Sequence, residues 1–237
     1  MGHFRVRQGE QDLTGELLDR PLLAFVWMYL LARALRWPGD RISRPALADE
    51  LSPGLAQREQ LKRVRKQLWD LQHDLPPVLG RPLKVGRQNV QLDLPELDID
   101  ASRVVSLEGA LPKGAELVDD DLKADIQLCL KLGGGDFLPA FEDLERRVTG
   151  GRGIAGQVVN DVRQQILGLR GNLAGALADR AFAQRSPQEA IGWLEQAVGE
   201  DPAREDLARR LISAYLQTGQ SGRAAELRRI HQIATEA

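Results

Sequence analysis

The sequence predicts a mainly α chain: a winged helix-turn-helix with short β-hairpins over residues 1–95, followed by an all-α, tetratricopeptide-like helical repeat domain over residues 96–237. Three observations predict it. Helical hydrophobic spacing gives way to period-two alternation at only two short segments. Charge divides between the parts, net +4 over residues 1–95 and net −6 over the rest. A 34-residue repeat is visible near the C-terminus. Length agrees, since 237 residues exceed what one ordinary helical core organises, and domains of roughly 100 to 150 residues are the usual solution.

Taken in order, Phe4 to Leu13 alternates around Gln8-Gly9 as a short hairpin does, and Leu17 to Leu35 then shows a wide apolar face at helical spacing. Its apolar run, Pro21 to Ala32, falls short of the about 20 residues of a membrane span and reads as a core helix. Trp37-Pro38-Gly39-Asp40 stops it. Ser43 is placed to cap the next helix, Pro45 is tolerated in its first turn, and Leu47 and Leu51 share a face. A turn at Ser52-Pro53-Gly54 leads into a longer helix, from about Gln57 to Asp74, with Leu61, Val64, Leu68, Leu71 and Leu75 at spacings of three and four. Pro76-Pro77 ends that helix, and Leu83 to Leu94 alternates around Gly86 and Gln88-Asn89 as a two-stranded hairpin.

After Asp98 the pattern is helical, broken at Pro112-Lys113-Gly114, Gly133-Gly134-Gly135 and Gly150 to Gly156. Asp119-Asp120-Asp121 suits a helix N-terminus better than paired-carboxylate catalysis. Ser186-Pro187-Gln188-Glu189 reads as a capping box with Pro in the first helical position. Ala190 and Ala224 stand 34 residues apart, the tetratricopeptide period. Leu177, Leu194, Ala197 and Pro202 fit the first unit, and Leu211, Tyr215 and Gly219 fit the second. Two such units rarely stand alone, so the helices around Leu122 to Leu132 and Pro139 to Val148 are expected to stack beneath them.

The helix from Gln57 carries the chemistry. Its apolar stripe centres on Leu61, Val64 and Leu68, with Arg58, Lys62, Arg63 and Lys66 on the other side and Arg65 at the edge of that arc. A basic helix by itself is ordinarily a solvated face. This one follows a short capped helix and a turn and precedes a hairpin bearing Lys84 and Arg87, the order in which a winged helix-turn-helix supplies groove reader and wing. Arg58 and Lys62 are the candidates for base edges, because recognition helices read with their N-terminal part. Arg65, Lys66, Arg41 and Arg44 are expected to hold the phosphate backbone.

Arg41 to Leu92 resembles the OmpR/PhoB-type winged helix. Gly134-Gly135-Asp136-Phe137-Leu138-Pro139-Ala140-Phe141, with the repeats after Ala178, resembles a bacterial transcriptional activation domain. Together they resemble the SARP/AfsR regulators over nearly the whole chain, with Gly-Asp-Phe-Leu-Pro as the most specific piece. The resemblance implies transcriptional activation by dimers that bind double-stranded promoter DNA and help recruit RNA polymerase. Two departures stand out. The family commonly carries Arg-Leu-Arg where this helix has Gln67-Leu68-Trp69, and its wing has Gly-Tyr where this one has Asn89-Val90. Trp69 falls near Arg58 and Lys62 on the helical wheel. Packing on the wing, approach to DNA and a protein-binding surface are all open to it, packing being the ordinary fate of an aromatic. Gln67, Trp69 and Val90 also favour a rival reading, an interaction scaffold whose winged helix binds protein.

Other signals weigh against enzymes and cofactors. Gly151-Arg152-Gly153-Ile154-Ala155-Gly156 matches G-x-G-x-x-G but follows a charged helix where the nucleotide fingerprint needs a strand. His3, His73 and His231 lack metal-ligand spacing with one another or with Cys129, and no catalytic triad can be assembled. Cys129, the single cysteine, excludes an intrachain disulfide and sits in an apolar helical stretch as a buried hydrophobe. No cofactor, no metal and no membrane partner is expected, and no secretory pattern precedes the first helix, so a cytoplasmic chain is expected.

Overall fold

The computed structural model describes residues 7–8, 11–12, 14–74, 76–94, 100–112, 118–132, 137–150 and 155–232. They are mainly helical, with one two-stranded and one three-stranded sheet. Their contacts divide the chain into two compact units, Met1–Ser102 with Gly134–Gln164, and Arg103–Gly133 with Gln165–Ala237. The expected division at 95/96 does not coincide with these units.

In the first unit β1 (Arg7–Gln8) and β2 (Gln11–Asp12) pair antiparallel, with Arg7 opposite Asp12. The helix expected over Leu17 to Leu35 is two, α1 (Thr14–Leu18) and α2 (Pro21–Arg36). Pro21 has no N–H to continue α1 and instead occupies the first turn of α2, where none is needed. Every residue from Leu23 to Ala32 in α2 is buried, and a helix apolar all round belongs in an interior. Around it pack α1, α4 (Gln57–His73), β5 (Asn89–Leu92) and α8 (Phe141–Thr149). Phe25 stacks on Phe141 with ring centroids 5.2 Å apart. The Trp27 indole N–H donates to the Leu79 carbonyl at 3.2 Å.

The placement of α8 corrects the expectation that Pro139 to Val148 lies beneath the repeats. Phe141 and Leu144, the apolar edge of α8, are buried against α2 within this unit. The residues leading into α8 are held tightly. Leu138 takes a left-handed φ of 51°, which costs a branched side chain about 1–2 kcal/mol. The Arg163 fork donates to the Phe137 carbonyl at 2.7 Å and the Leu138 carbonyl at 2.8 Å, and grips both oxygens of Glu142. Those bonds hold Glu142 below the usual carboxylate range. The Gly134-Gly135-Asp136 part of the motif lies outside the described residues, as do Lys113-Gly114 and Gly151 to Ile154.

The second unit comprises α7 (Asp120–Leu132), α10 (Pro187–Glu200), α11 (Glu205–Gln217), α12 (Ser221–His231) and the parts of α6 (Asp100–Gly109) and α9 (Ala155–Ala183) that fall within its bounds. The repeat positions form its core: Leu177, Ala190, Leu194, Ala197, Leu211, Tyr215 and Ala224 are all buried, and Gly219 turns the chain at φ 75°. Ile126, Cys129 and Leu130 of α7 join that core, as expected. Asp119 caps α7 by accepting from the Leu122 N–H at 2.8 Å. The Ser186 capping box is not formed. Pro187 does open α10, but the Ser186 side chain makes no cap bond, and Glu189 pairs with Lys123 of α7 at 2.9 Å. The Ser186 backbone N–H, which Glu189 would have satisfied, donates instead to the Ala181 carbonyl at 2.8 Å.

Candidate nucleic-acid interface

The interface begins at β3 (Ile42–Ser43) and α3 (Arg44–Leu51), where the Ser43 hydroxyl oxygen accepts the Ala46 N–H at 3.2 Å. The turn that follows is set by Gly54 at φ 86° and by buried Gln60, whose amide donates to the Ser52 carbonyl at 3.0 Å. Behind α4 come a short α5 (Pro77–Gly80) and the hairpin of β4 (Leu83–Val85) with β5. The sheet order is β3-β5-β4, all antiparallel, and Val90 lies opposite both Ile42 and Val85. A helix, a turn, a second helix and a hairpin thus follow one another as the sequence pattern required.

The buried face of α4 is centred on Val64, Leu68 and Leu71 and includes Gln60, Gln67 and Asp70. Leu61 is only half-buried. Arg58, Lys62, Arg63, Arg65 and Lys66 are exposed. Among the described residues, no hydrogen bond or ion pair engages the side chains of Arg58, Lys62, Arg63, Arg65 or, at the hairpin turn, exposed Arg87. Lys66 pairs with Asp70 at 2.6 Å. Lys84 pairs with Asp93 along the hairpin. Arg44 is half-buried and ties the hairpin to α3: its guanidinium donates to the Gly86 carbonyl at 2.8 Å and its backbone N–H to the Gln88 carbonyl at 2.8 Å. Exposed Arg41 donates to Gln91 at 3.3 Å.

The nine cations expected from the sequence therefore split by their bonds. Five carry uncommitted charge on α4 and the hairpin turn, and four are engaged in holding the hairpin or a neighbouring carboxylate. Sequence reasoning missed the positioning role of Arg44 and of Gln60. The latter had a signal, a polar residue on the apolar side of the wheel. Of the residues that favoured a protein-binding scaffold, Gln67 and Val90 are buried, whereas Trp69 is 55% exposed. Trp69 does not pack away as an aromatic ordinarily would. It stacks on His73 of its own helix, with centroids 4.5 Å apart and planes 12° apart.

The N–H of Gly156, the last residue of the G-x-G-x-x-G match, donates to the Glu145 carboxylate at 2.9 Å. Cys129 is buried. Among the described residues no cluster of His, Cys, Asp and Glu could hold a metal, and no helix is long and apolar enough to cross a membrane.

Residues 135–232 match the family model of the bacterial transcriptional activator domain. The matched segment starts in the first compact unit and continues through the second, and it contains both the Arg163 clamp and the paired repeats. This match supports a bacterial transcriptional activator, a class of regulator rather than of enzyme. No curated protein and no solved structure matches the chain.

Proposed function

We propose that the protein is a SARP/AfsR-type transcriptional activator that binds double-stranded promoter DNA through a winged helix-turn-helix within residues 1–95. In this reading α4 enters the major groove and the β4–β5 hairpin is the wing. Residues 96–237 serve protein contacts, with a second copy of the chain and with RNA polymerase. The observation that carries the reading is the exposed face of α4, where Arg58, Lys62, Arg63 and Arg65 make no bonds that would have to break before they met phosphate. Each phosphate neutralised releases counterions and steepens the dependence of log K on log salt by about 0.9. Arg58 and Lys62, nearest the helix start, read base edges at a specific site and meet phosphate, like Arg63 and Arg65, on random duplex. Lys66 already faces Asp70, so its share of the slope is smaller than that of Lys62.

Fluorescence anisotropy with random genomic duplex tests the reading, because non-specific binding needs only the charge pattern. Binding at about 50 mM salt that weakens steeply as salt rises is the expected result. No binding at that salt would refute it and leave an interaction scaffold.

A further inference from the structure

Arg58, Lys62, Arg65 and Trp69 follow one another at spacings of four, three and four, which at 3.6 residues per turn places them in one line along α4. All four are exposed. The line runs about 16 Å from Arg58 to Trp69, at 1.5 Å per residue. Gln72, one turn beyond Trp69 and about 60° round the helix, donates to the Leu83 carbonyl of β4 at 3.3 Å, so the hairpin flanks the downstream end of the line. The indole is held ready there: His73 stacks on it, and His73 Nδ1 donates to the Trp69 carbonyl at 2.9 Å.

We infer that Trp69 is a DNA-contacting residue whose indole packs against the duplex at the downstream end of the Arg58–Lys62–Arg65 line, adding apolar contact where its neighbours add charge. This rests on the DNA-binding reading above. Charge complementarity selects the occupant. The cores of protein interfaces are depleted of charge and gather several apolar groups, whereas Trp69 is the exposed large hydrophobic of α4 and stands among Lys62, Arg65 and Lys66. A solitary indole in a cationic row suits a polyanion whose sugars and base edges also offer apolar surface. Its stacked, pre-set ring has little motion left to lose on binding.

The test uses the full chain and random genomic duplex at about 50 mM salt. Trp69→Ala is expected to lower affinity about tenfold, as for burying roughly half of a large apolar side chain, with the salt slope unchanged. Lys62→Ala instead flattens the slope by about 1. Trp69→Phe retains most of the affinity. Comparison of the wild type with Trp69→Phe isolates the Trp69 emission, which acrylamide quenches in the unbound protein and is expected to quench poorly in the complex. Wild-type affinity in Trp69→Ala, or an indole still quenchable in the complex, would overturn the inference and leave the DNA reading standing. Absence of binding by the wild type overturns both. Since Trp69 is more than half exposed, the variants are expected to melt as the wild type does, and a Trp69→Ala melt lowered enough to explain the affinity loss would also overturn the inference.

Discussion

Replacing Arg163 by Ala removes the fork that closes the Phe137–Leu138 loop against α9. Bonds to four partners go at once: the Phe137 and Leu138 carbonyls, at 2.7 and 2.8 Å, the Glu142 carboxylate, and the Asn160 amide oxygen at 3.2 Å. The Arg163 side chain is 15% exposed, so water replaces these bonds incompletely. Hydrogen bonds to a charged group contribute about 1.5–3 kcal/mol each, but they share one side chain and do not add, and about 3 kcal/mol is the expected total loss. Leu138 then loses the bond that helps hold its backbone in the left-handed region. Urea denaturation measures the loss, and Arg163→Lys, which keeps one charge but not the fork, recovers part of it. The pH dependence has a definite sign. Glu142 is depressed, first by its bond to Arg163, so its contribution is fully present above the ordinary value of 4.5 and is lost as pH falls through the folded value. Arg163→Ala should remove that acid limb. A loss under about 0.5 kcal/mol, of the size of a surface substitution, or an unchanged acid limb, would refute the clamp.

Other consequences are as direct. Phe141→Ala empties the stack on Phe25 and is expected to cost about 3–5 kcal/mol; a negligible change in urea denaturation would contradict the packing of α8 on α2. Ala190 and Ala224 stand 34 residues apart and are both fully buried, so Ala190→Leu and Ala224→Leu should each cost about 1–3 kcal/mol, and a cost at only one of them would break the repeat equivalence. The two tyrosines should both ionise late in an ultraviolet titration, Tyr29 because of burial and Tyr215, raised to about 12, because of burial and its bond to Glu195. Both values are raised, so the associated stability is complete below 10, the ordinary value, and for Tyr215 is lost as pH rises towards about 12. Phenolate absorbance appearing at 10 would contradict those environments.

What the sequence made legible was local. Ser43, Gly54 and Pro21 act within a turn of where they stand, and the hairpin of Leu83 to Leu92 is set by its own alternation. The periodicity of residues 139–148 showed that α8 buries an apolar edge; it could not say that α2, more than a hundred residues earlier in the chain, covers it. The reciprocal half of the Ser186 capping box was likewise not legible, since Glu189 pairs with Lys123 on another helix and the Ser186 N–H donates to the Ala181 carbonyl. At the candidate interface the exposed cations were legible from the helical wheel. Their bonding was not, because Arg44 and Lys84 find acceptors only once the hairpin has folded. Trp69 departed from expectation because its partner, His73, sits beside it on the outer face.

The central claim is that the uncommitted cations of α4 meet DNA phosphates and base edges. The most direct measurement is the slope of log K against log salt for random genomic duplex, in the wild type and in a variant carrying Arg58→Ala, Lys62→Ala, Arg63→Ala and Arg65→Ala together. All four side chains are exposed and make no bonds among the described residues, so the variant should fold and melt as the wild type does. The account predicts a slope flatter by roughly 3 to 4, at about 0.9 per phosphate lost, and no measurable binding at about 150 mM salt, a physiological ionic strength. A variant that binds with the wild-type slope would contradict it.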